Sequence, residues 1–241
     1  MNAFSLEGQV ALVTGANTGI GQAIAVAMAQ AGAEVIAAGR SDCSETVSLM
    51  GSGRALQLDF VDPMAARDVF AAERVDILVN NAGIIRRADA VDFSEADWDE
   101  VMDVNLKALF FTCQAFAKAA LPRGHGKIVN IASLLSFQGG IRVPSYTASK
   151  HGVAGLTKLM ANEWAAQGLN VNAIAPGYIE TNNTEALRAD ADRSRQILER
   201  IPAGRWGRPE DIAQTAVFLA APASSYINGA VLNVDGGWLA R

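Results

Sequence analysis

The stretch QVALVTGANTGIGQAIAVAMAQAG, residues 9–32, decides the fold class. Residues 9–14 are mostly apolar and β-branched, which is typical of a buried strand, and residues 19–32 have the composition of a helix with a face of small side chains. Between them, Gly15, Gly19 and Gly21 allow a tight turn in which the backbone can approach an anion, and the start of the helix directs free N–H groups toward it. A glycine-rich turn between a strand and a helix predicts a dinucleotide-binding fold.

The rest of the chain repeats this alternation of short apolar runs and helical stretches. We predict further strands at residues 33–39, 54–60, 75–83, 126–133, 169–177 and 229–237, and helices at 97–121, 145–167 and from Pro209 onward. Such a pattern is typical of a parallel sheet covered on both faces, so residues 1–241 are expected to form a single α/β domain with a Rossmann-type, doubly wound parallel sheet. Only residues 41–53 separate the second and third strands, which predicts a short or missing helix there.

Composition narrows the class of protein. The net charge of −5 and the absence of a run of Lys and Arg argue against a nucleic-acid partner. No apolar run reaches the ~18 residues of a membrane span, and the N-terminus has no pattern of a secretory signal, so a cytoplasmic protein is expected. Two cysteines, Cys43 and Cys113, and two histidines predict neither a disulfide framework nor a metal site.

Tyr146 and Lys150 are four residues apart on a predicted helix, so their side chains share one face. A free tyrosine has a pKa of about 10. A neighbouring ammonium group favours the phenolate, and we expect Lys150 to lower the pKa of Tyr146 so that the phenol can exchange a proton near neutral pH.

Four motifs together resemble those of the short-chain dehydrogenase/reductase family: TGANTGIG at 14–21, NNAG at 80–83, Ser133 at the end of the fifth strand and YTASK at 146–150. The resemblance covers essentially the whole chain. It implies an oxidoreductase that transfers a hydride to or from a nicotinamide cofactor. It also implies a catalytic tetrad in which Tyr146 exchanges the proton, Ser133 stabilises the oxyanion, Lys150 holds the nicotinamide ribose and Asn105 supports a proton relay.

The same resemblance implies a set of cofactor-binding residues along the carboxyl ends of the strands. Asp59 is expected to contact the adenine, and Ile179 and Thr181 the nicotinamide carboxamide. The full set is Gly15, Asn17, Thr18, Gly19, Ile20, Gly21, Arg40, Asp59, Asn81, Ala82, Gly83, Tyr146, Lys150, Pro176, Gly177, Ile179 and Thr181.

The end of the second strand bears on the choice between NAD(H) and NADP(H). NAD-binding proteins of this class usually carry an acid there, which holds the ribose 2′-hydroxyl. This chain has Arg40 and Ser41 instead. The two side chains can pair with a 2′-phosphate, which favours NADP, but Arg40 can equally stack on adenine and accept NAD. The sequence leaves the preference open.

Several stretches, among them residues 133–150 and 200–211, resemble family members that act on small keto or hydroxy sugar acids of the 2-dehydro-3-deoxy-D-gluconate type and that form tetramers. A sugar acid needs a cation for its carboxylate, and arginine suits this role. Gln138 and Arg142, between Ser133 and Tyr146, are the preferred substrate-binding candidates, followed by Arg86 and Arg87.

Two further segments carry expectations from the resemblance. Residues 181–205 are expected to form a lid over the substrate, and Trp238 is a candidate anchor at a subunit interface.

Two other functions are also compatible with the fold. One is a 3-oxoacyl-carrier-protein reductase of the same family, which the acidic net charge does not support. The other is a catalytically silent nucleotide-binding scaffold, which the complete tetrad argues against.

Overall fold

The structure, a computed structural model, describes residues 2–59 and 61–240. Within these ranges seven strands form one sheet, in which every neighbouring pair is parallel, in the order β3-β2-β1-β4-β5-β6-β7. The strands are β1 Val10–Thr14, β2 Glu34–Gly39, β3 Arg54–Gln57, β4 Ile77–Asn80, β5 Gly126–Ile131, β6 Leu169–Pro176 and β7 Val231–Val234. The strand order runs outward in opposite directions from β1 and β4, so the sheet is doubly wound as predicted.

Helices connect the strands and cover both faces of the sheet. They are α1 Gly19–Gln30, α2 Ser44–Met50, α3 Pro63–Ala72, α4 Glu95–Met102, α5 Ala108–Ala120, α6 Pro144–Trp164, α7 Glu185–Ala189, α8 Ala191–Leu198 and α9 Pro209–Ala220. Across the described residues, no helix combines the length and the apolar character that crossing a membrane requires.

Alternation along β1 shows how the two core layers arise. Successive side chains of a strand point to opposite faces. Ala11 and Val13 are fully buried in one layer, together with Ile24 of α1 and the inner side chains of α9. Leu12 is fully buried in the other layer, together with Phe116 of α5 and the inner side chains of α3 and α6. The central strands therefore read as continuous apolar runs because both of their faces are covered.

The elements follow the sequence prediction in their order, and the main differences concern α3, the long helix before β5 and the end of β3. Residues 63–72, to which no element was assigned, form α3. The predicted helix 97–121 begins earlier, at Glu95, and is interrupted by a π-helical turn at Asp103–Lys107. The predicted strand 54–60 ends at Gln57, and Phe60 lies outside the described residues. The connection between β2 and β3 holds only the seven-residue helix α2, which confirms the expectation of a short helix.

Candidate active site

A crevice opens at the carboxyl ends of β1 and β4, where the strand order reverses. Connections from these two neighbouring strands leave in opposite directions, and ligands of open α/β sheets bind in the crevice between them. Four cavities line up along this edge, and each shares lining residues with the next. We name them the adenosine-end cavity, the central cavity, the Lys150 cavity and the arginine cavity, and define each below by its residues.

The glycine-rich turn after β1 is shaped to receive an anion. Gly15 and Gly19 have positive φ angles of 63° and 57°, which L side chains rarely adopt. A Cβ atom on Gly21 would lie 2.2 Å from the carbonyl oxygen of Gly15, so the helix can approach the turn this closely only because Gly21 has no side chain. Thr18 at the N-cap of α1 makes no side-chain cap hydrogen bond, which leaves the first N–H groups of the helix available to a ligand.

Thr14 and Asn81 tie the turn to the end of β4. The Thr14 hydroxyl accepts hydrogen bonds from the backbone N–H groups of Asn81 and Ala82, each at 3.0 Å. The Asn81 amide donates in return to the carbonyl oxygens of Thr14 and Gly15, at 3.1 and 3.0 Å. The NNAG segment thus fixes the floor of the crevice through its own backbone and side chain.

The central cavity, of about 200 Å³, lies directly over this floor. Eight of the predicted cofactor-binding residues line it, together with Thr181 from the far wall: Gly15, Asn17, Thr18, Gly19, Ile20, Asn81, Ala82 and Gly83. Backbone N–H groups, small residues and one uncapped helix start suit the pyrophosphate of a dinucleotide. Gly21 is the one predicted turn residue outside the lining, since it packs beneath the turn.

The adenosine-end cavity, of about 250 Å³, extends from the turn toward β2 and β3. Arg40, Ser41 and Asp59 line it. Among its described lining residues, Asp59 is the one carboxylate, and it follows β3, not β2. The position that usually binds a ribose 2′-hydroxyl through an acid therefore presents a guanidinium and a hydroxyl.

The Lys150 cavity, of about 140 Å³, continues from the central cavity along the ends of β5 and β6. The tetrad members Ser133, Tyr146 and Lys150 line it, as do the four cofactor candidates Pro176, Gly177, Ile179 and Thr181. The structure thus brings the predicted nicotinamide-side residues and three of the four predicted catalytic side chains to one place.

Tyr146 lies on the first turn of α6, in the wall between the Lys150 and arginine cavities. Burial raises the pKa of its phenol, while hydrogen bonding to Ser133 and the positive charge of Arg87 act in the opposite direction. The net shift is upward, which is opposite to the expectation drawn from the Tyr146–Lys150 spacing. Ser133 caps a short helical turn, since its hydroxyl accepts from the Leu135 N–H at 3.2 Å.

Lys150 is buried beside Tyr146, with its ammonium nitrogen 5.5 Å from the centre of the phenol ring. The ammonium donates a hydrogen bond of 2.6 Å to the carbonyl oxygen of Ile131 at the end of β5. Burial lowers the pKa of Lys150 to about 8. The side chain is therefore held in a fixed position by the sheet, and at neutral pH it still carries a proton.

Asn105 occupies the π-helical turn and is almost completely buried. Its amide oxygen accepts from the Ile84 N–H at 2.8 Å, and its amide nitrogen donates to the Ile84 carbonyl at 2.9 Å. A longer contact of 3.4 Å reaches the Ser149 hydroxyl, next to Lys150. In this arrangement Asn105 joins the loop after β4 to α6, and the proton relay expected of it remains a prediction.

The arginine cavity, of about 270 Å³, lies beyond Tyr146. Arg87, Arg193 and Arg200 line it, and no aspartate or glutamate is among its described lining residues. Gln138 also lines this cavity, as predicted for a substrate residue, and its amide oxygen accepts from the Trp238 indole at 3.3 Å.

Arg86 and Arg142 are not among the described residues that line this cavity, so the structure does not support their predicted contact with substrate. The Arg86 guanidinium pairs with Glu100 of α4 at 2.7 Å, which holds it on the outer side of the loop. Arg142 has a φ of 63°, and its guanidinium pairs with exposed Asp89 at 3.2 Å. Each positive charge already has an acidic partner.

Sequence reasoning missed Arg193, Arg200 and Tyr178. A partial signal exists in the spacing. Ile197 is buried on α8, and Arg193 lies four residues before it on the same face of the helix. Arg200 follows Ile197 by three residues, just beyond the end of α8. Trp238, a candidate interface anchor, is instead buried within its own chain against Tyr178, with ring centres 4.7 Å apart.

Comparisons with known proteins identify the family. A family model described as Enoyl-(Acyl carrier protein) reductase matches residues 15–239. The 2-dehydro-3-deoxy-D-gluconate 5-dehydrogenase of Bacillus subtilis is 58% identical over 249 residues, which is 100% of this chain and 98% of that protein.

Two solved structures are similar over the full length of this chain. One, from Agrobacterium tumefaciens with bound NADP, is described as a candidate 2-deoxy-D-gluconate 3-dehydrogenase; it is 72% identical, with a TM-score of 0.98 and coverage of 100% of both chains. The other is a gluconate 5-dehydrogenase from Burkholderia cenocepacia in complex with NADP and tartrate, 38% identical, with a TM-score of 0.94 and coverage of 100% of this chain and 98% of that one. The chain therefore belongs to the short-chain dehydrogenase/reductase family.

Proposed function

We propose that this enzyme interconverts a secondary alcohol and a ketone in a small sugar acid of the 2-dehydro-3-deoxy-D-gluconate type, with NADP(H) as its preferred cofactor. The observation that carries the proposal is the position of the arginine cavity. It shares Ser133 and Tyr146 with the Lys150 cavity, and three arginines face it without a carboxylate among its described lining residues. In a protein with a net charge of −5, this concentration of positive charge selects an anionic ligand.

The proposed substrate class also draws support from the relatives, since the Bacillus subtilis protein is named for a deoxy sugar acid. The Burkholderia cenocepacia structure holds tartrate, a hydroxylated acid, together with NADP. The arginine cavity additionally offers hydroxyl and amide groups for substrate hydroxyls, from Gln138, Asn183 and Thr184.

We propose that Tyr146 is the general acid and base. In the direction of reduction its hydroxyl donates a proton to the carbonyl oxygen, and in the direction of oxidation its phenolate accepts the proton of the alcohol. The Ser133 hydroxyl donates a hydrogen bond to the same oxygen and stabilises negative charge there. When bound, a nicotinamide cofactor supplies or accepts the hydride at the carbon.

We propose that Lys150 acts through its fixed charge. Because its ammonium is anchored on the Ile131 carbonyl, it stays close to the Tyr146 ring in every turnover and favours the phenolate over the phenol. The ammonium also faces the Lys150 cavity, where it is placed to donate to the ribose hydroxyls of a nicotinamide nucleotide.

The cofactor preference rests on Arg40 and Ser41. A 2′-phosphate is recognised by a guanidinium through charge-assisted hydrogen bonds, and the adenosine-end cavity offers this group where an acid would repel the phosphate. The Agrobacterium tumefaciens structure was determined with bound NADP, in keeping with this assignment.

The test is a steady-state screen of NADPH and NADH against three panels: keto-sugar acids, neutral keto-sugars of equal length and 3-oxoacyl thioesters. We expect the highest kcat/KM for a keto-sugar acid with NADPH, and at least about a thousandfold loss of kcat for Tyr146→Phe, because the proton donor is removed. A preference for neutral sugars would reject the acid assignment. A preference for thioesters would favour the carrier-protein reductase instead.

Three accompanying proposals concern the protein as a whole. Segment 181–205 is proposed to act as a lid. Arg87 contacts this segment through a 3.1 Å hydrogen bond to the Asn183 carbonyl.

A homotetramer is proposed. Two exposed apolar side chains, Trp98 on α4 and Leu159 on α6, offer contact surface for it. A cytoplasmic location is proposed on the basis of two free, buried cysteines. Multi-angle light scattering measures the oligomeric state directly.

A further inference from the structure

The arginine cavity has two chemically different ends. At one end Ser133 and Tyr146 face the Lys150 cavity, and Arg87 lies close enough for its charge to act on the pKa of Tyr146. At the other end lie Arg193 and Arg200. Burial raises the pKa of Tyr178 there, and the charges of these two arginines oppose the shift, which places both of them near the Tyr178 hydroxyl.

Like Arg87 and Arg193, Arg200 has no acidic partner among the described residues, but unlike them its guanidinium also makes no hydrogen bond there. Among the described residues its guanidinium contacts the ring of Trp238, 4.0 Å from the ring centre, and neither a carboxylate nor a hydrogen-bond acceptor. Arg86, Arg142 and Arg205 are each paired with Asp or Glu. A guanidinium stacked on an aromatic face keeps its N–H groups, which lie in its plane, free for a bidentate ligand.

Trp238 is itself held in place by its burial and by two contacts. It is buried, its ring lies against Tyr178, and its indole N–H donates to the Gln138 amide. Gln138 belongs to the loop between Ser133 and Tyr146, so the platform under Arg200 is connected to the loop that carries the reacting groups. Stacking on a fixed ring reduces the number of positions that the long arginine side chain samples, which lowers the entropic cost of binding an anion.

We propose that Arg200, stacked on Trp238, binds the substrate carboxylate and thereby sets the preference for acids over neutral keto-sugars. This inference rests on the proposed function. It adds that the carboxylate binds at the end of the cavity away from Tyr146. The enzyme then selects acids in which the reacting carbonyl and the carboxylate lie at opposite ends of the carbon chain, and it discriminates against acids in which the two groups are adjacent.

The decisive variant is Arg200→Met, which keeps an unbranched side chain over the ring and removes the charge. We expect KM for the sugar acid to rise about 10- to 100-fold with kcat nearly unchanged, since a charge-assisted contact to a non-reacting group is lost equally from the ground state and the transition state. For a neutral keto-sugar of equal length, kcat/KM should stay within about twofold. Arg200→Lys should give an intermediate KM, because it restores the charge without the planar group.

Trp238 acts as a positioning residue, so its variant needs a readout that a loss of stability would not move. Trp238→Leu should raise KM for the acid by a larger factor than KM for the neutral sugar, with the melting temperature measured separately. The matched control is Arg195→Met, on α8 five residues before Arg200, which is exposed and paired with Asp192 and for which no kinetic change is expected.

The outcomes separate this inference from the proposed function. If the wild-type enzyme prefers acids and Arg200→Met retains that preference, the carboxylate binds elsewhere and the inference is wrong, while the proposed function stands. If Arg200→Met weakens acids and neutral sugars equally, Arg200 has only a structural role. If the wild-type enzyme shows no preference for acids, the proposed function itself fails.

Discussion

Single side chains decide the chemistry of this site, and the pKa of Tyr146 shows where sequence spacing is insufficient. The spacing of Tyr146 and Lys150 correctly places an ammonium group near the phenol. The spacing alone predicts neither the burial that raises the pKa of Tyr146 nor the hydrogen bond from Lys150 to the Ile131 carbonyl. Both depend on how α6 packs on β5. Arg87, which opposes the upward shift, comes from a loop distant in sequence.

The pH dependence of alcohol oxidation should therefore respond to Arg87. Oxidation needs the phenolate, so kcat/KM rises with pH through the pKa of Tyr146. Arg87→Met removes a positive charge that favours the phenolate, and we expect the rising limb to move to higher pH by on the order of half a unit. The control is Arg86→Met, whose charge is paired with Glu100, and its profile should match the wild type. Equal shifts in both variants would exclude a specific effect of Arg87.

Arg142 should affect stability more than substrate binding. Its left-handed backbone conformation, with a φ of 63°, costs a non-glycine residue about 1–2 kcal/mol, and its ion pair with Asp89 is exposed and contributes little. We expect Arg142→Gly to leave the free energy of unfolding unchanged or to raise it by up to about 1 kcal/mol. KM for the sugar acid should not change. A tenfold rise in KM for both Arg142→Gly and Arg142→Ala would return this residue to the substrate site.

Strands and helices were predictable where periodicity is strong, and less so at their ends. The doubly wound sheet follows from the continuous apolar runs, and the nucleotide turn follows from the glycines. The break in the long helix at residues 103–107 was not predictable, since the wide turn exists to bring the Asn105 amide onto the Ile84 backbone. No element was assigned from sequence to helix α3, Pro63–Ala72.

Two glycines in different helices should respond in opposite ways to the same substitution. Gly21→Ala places a methyl group 2.2 Å from the Gly15 carbonyl, so we expect a loss of about 2 kcal/mol or more in the free energy of unfolding and a loss of NADPH binding. Gly155 in α6 meets no atom within 4 Å of the same added carbon, and Gly155→Ala should stabilise the helix by about 0.5–1 kcal/mol.

Both variants are compared by urea unfolding and by the fluorescence of bound NADPH. Normal NADPH binding by Gly21→Ala would show that the helix start does not need this close approach. Destabilisation by Gly155→Ala would show that the exposed side of α6 is constrained by contacts outside the single chain.

For the domain as a unit, sequence predicted the architecture and the crevice but only part of the arginine cavity. Gln138 lines the arginine cavity because its loop is fixed at both ends by Ser133 and Tyr146, and its contact with substrate stays a prediction. Arg193 and Arg200 were not found because their position depends on how α8 and the residues after it pack against Tyr178 and Trp238. Arg86 and Arg142 lie outside the lining of the arginine cavity because carboxylates on α4 and in the loop after β4 pair with them.

Global stability should change with pH through Lys127 on β5. Burial lowers the pKa of Lys127 from 10.5 to about 8, so below pH 8 the folded state carries a charge that is better solvated when unfolded. The folded pKa lies below the unfolded one, and the penalty disappears as pH rises from about 8 to 10.5. We expect Lys127→Met to be more stable than the wild type at pH 7, with a difference that shrinks toward pH 10.

Urea unfolding at pH 7, 9 and 10 measures this difference, and Lys118→Met, an exposed position on α5, serves as the control. A stability difference for Lys127→Met that is the same at all three pH values would assign the effect to packing alone.

The position of Asn183 has a consequence for the order of events in a catalytic cycle. This residue lines the central, Lys150 and arginine cavities together, and Arg87 holds its carbonyl from the opposite wall. Segment 181–205, proposed above as a lid, would then cover a dinucleotide in the central cavity and a substrate in the arginine cavity at the same time. We therefore predict that the dinucleotide binds before the substrate and leaves after the product, and product-inhibition patterns would test this order.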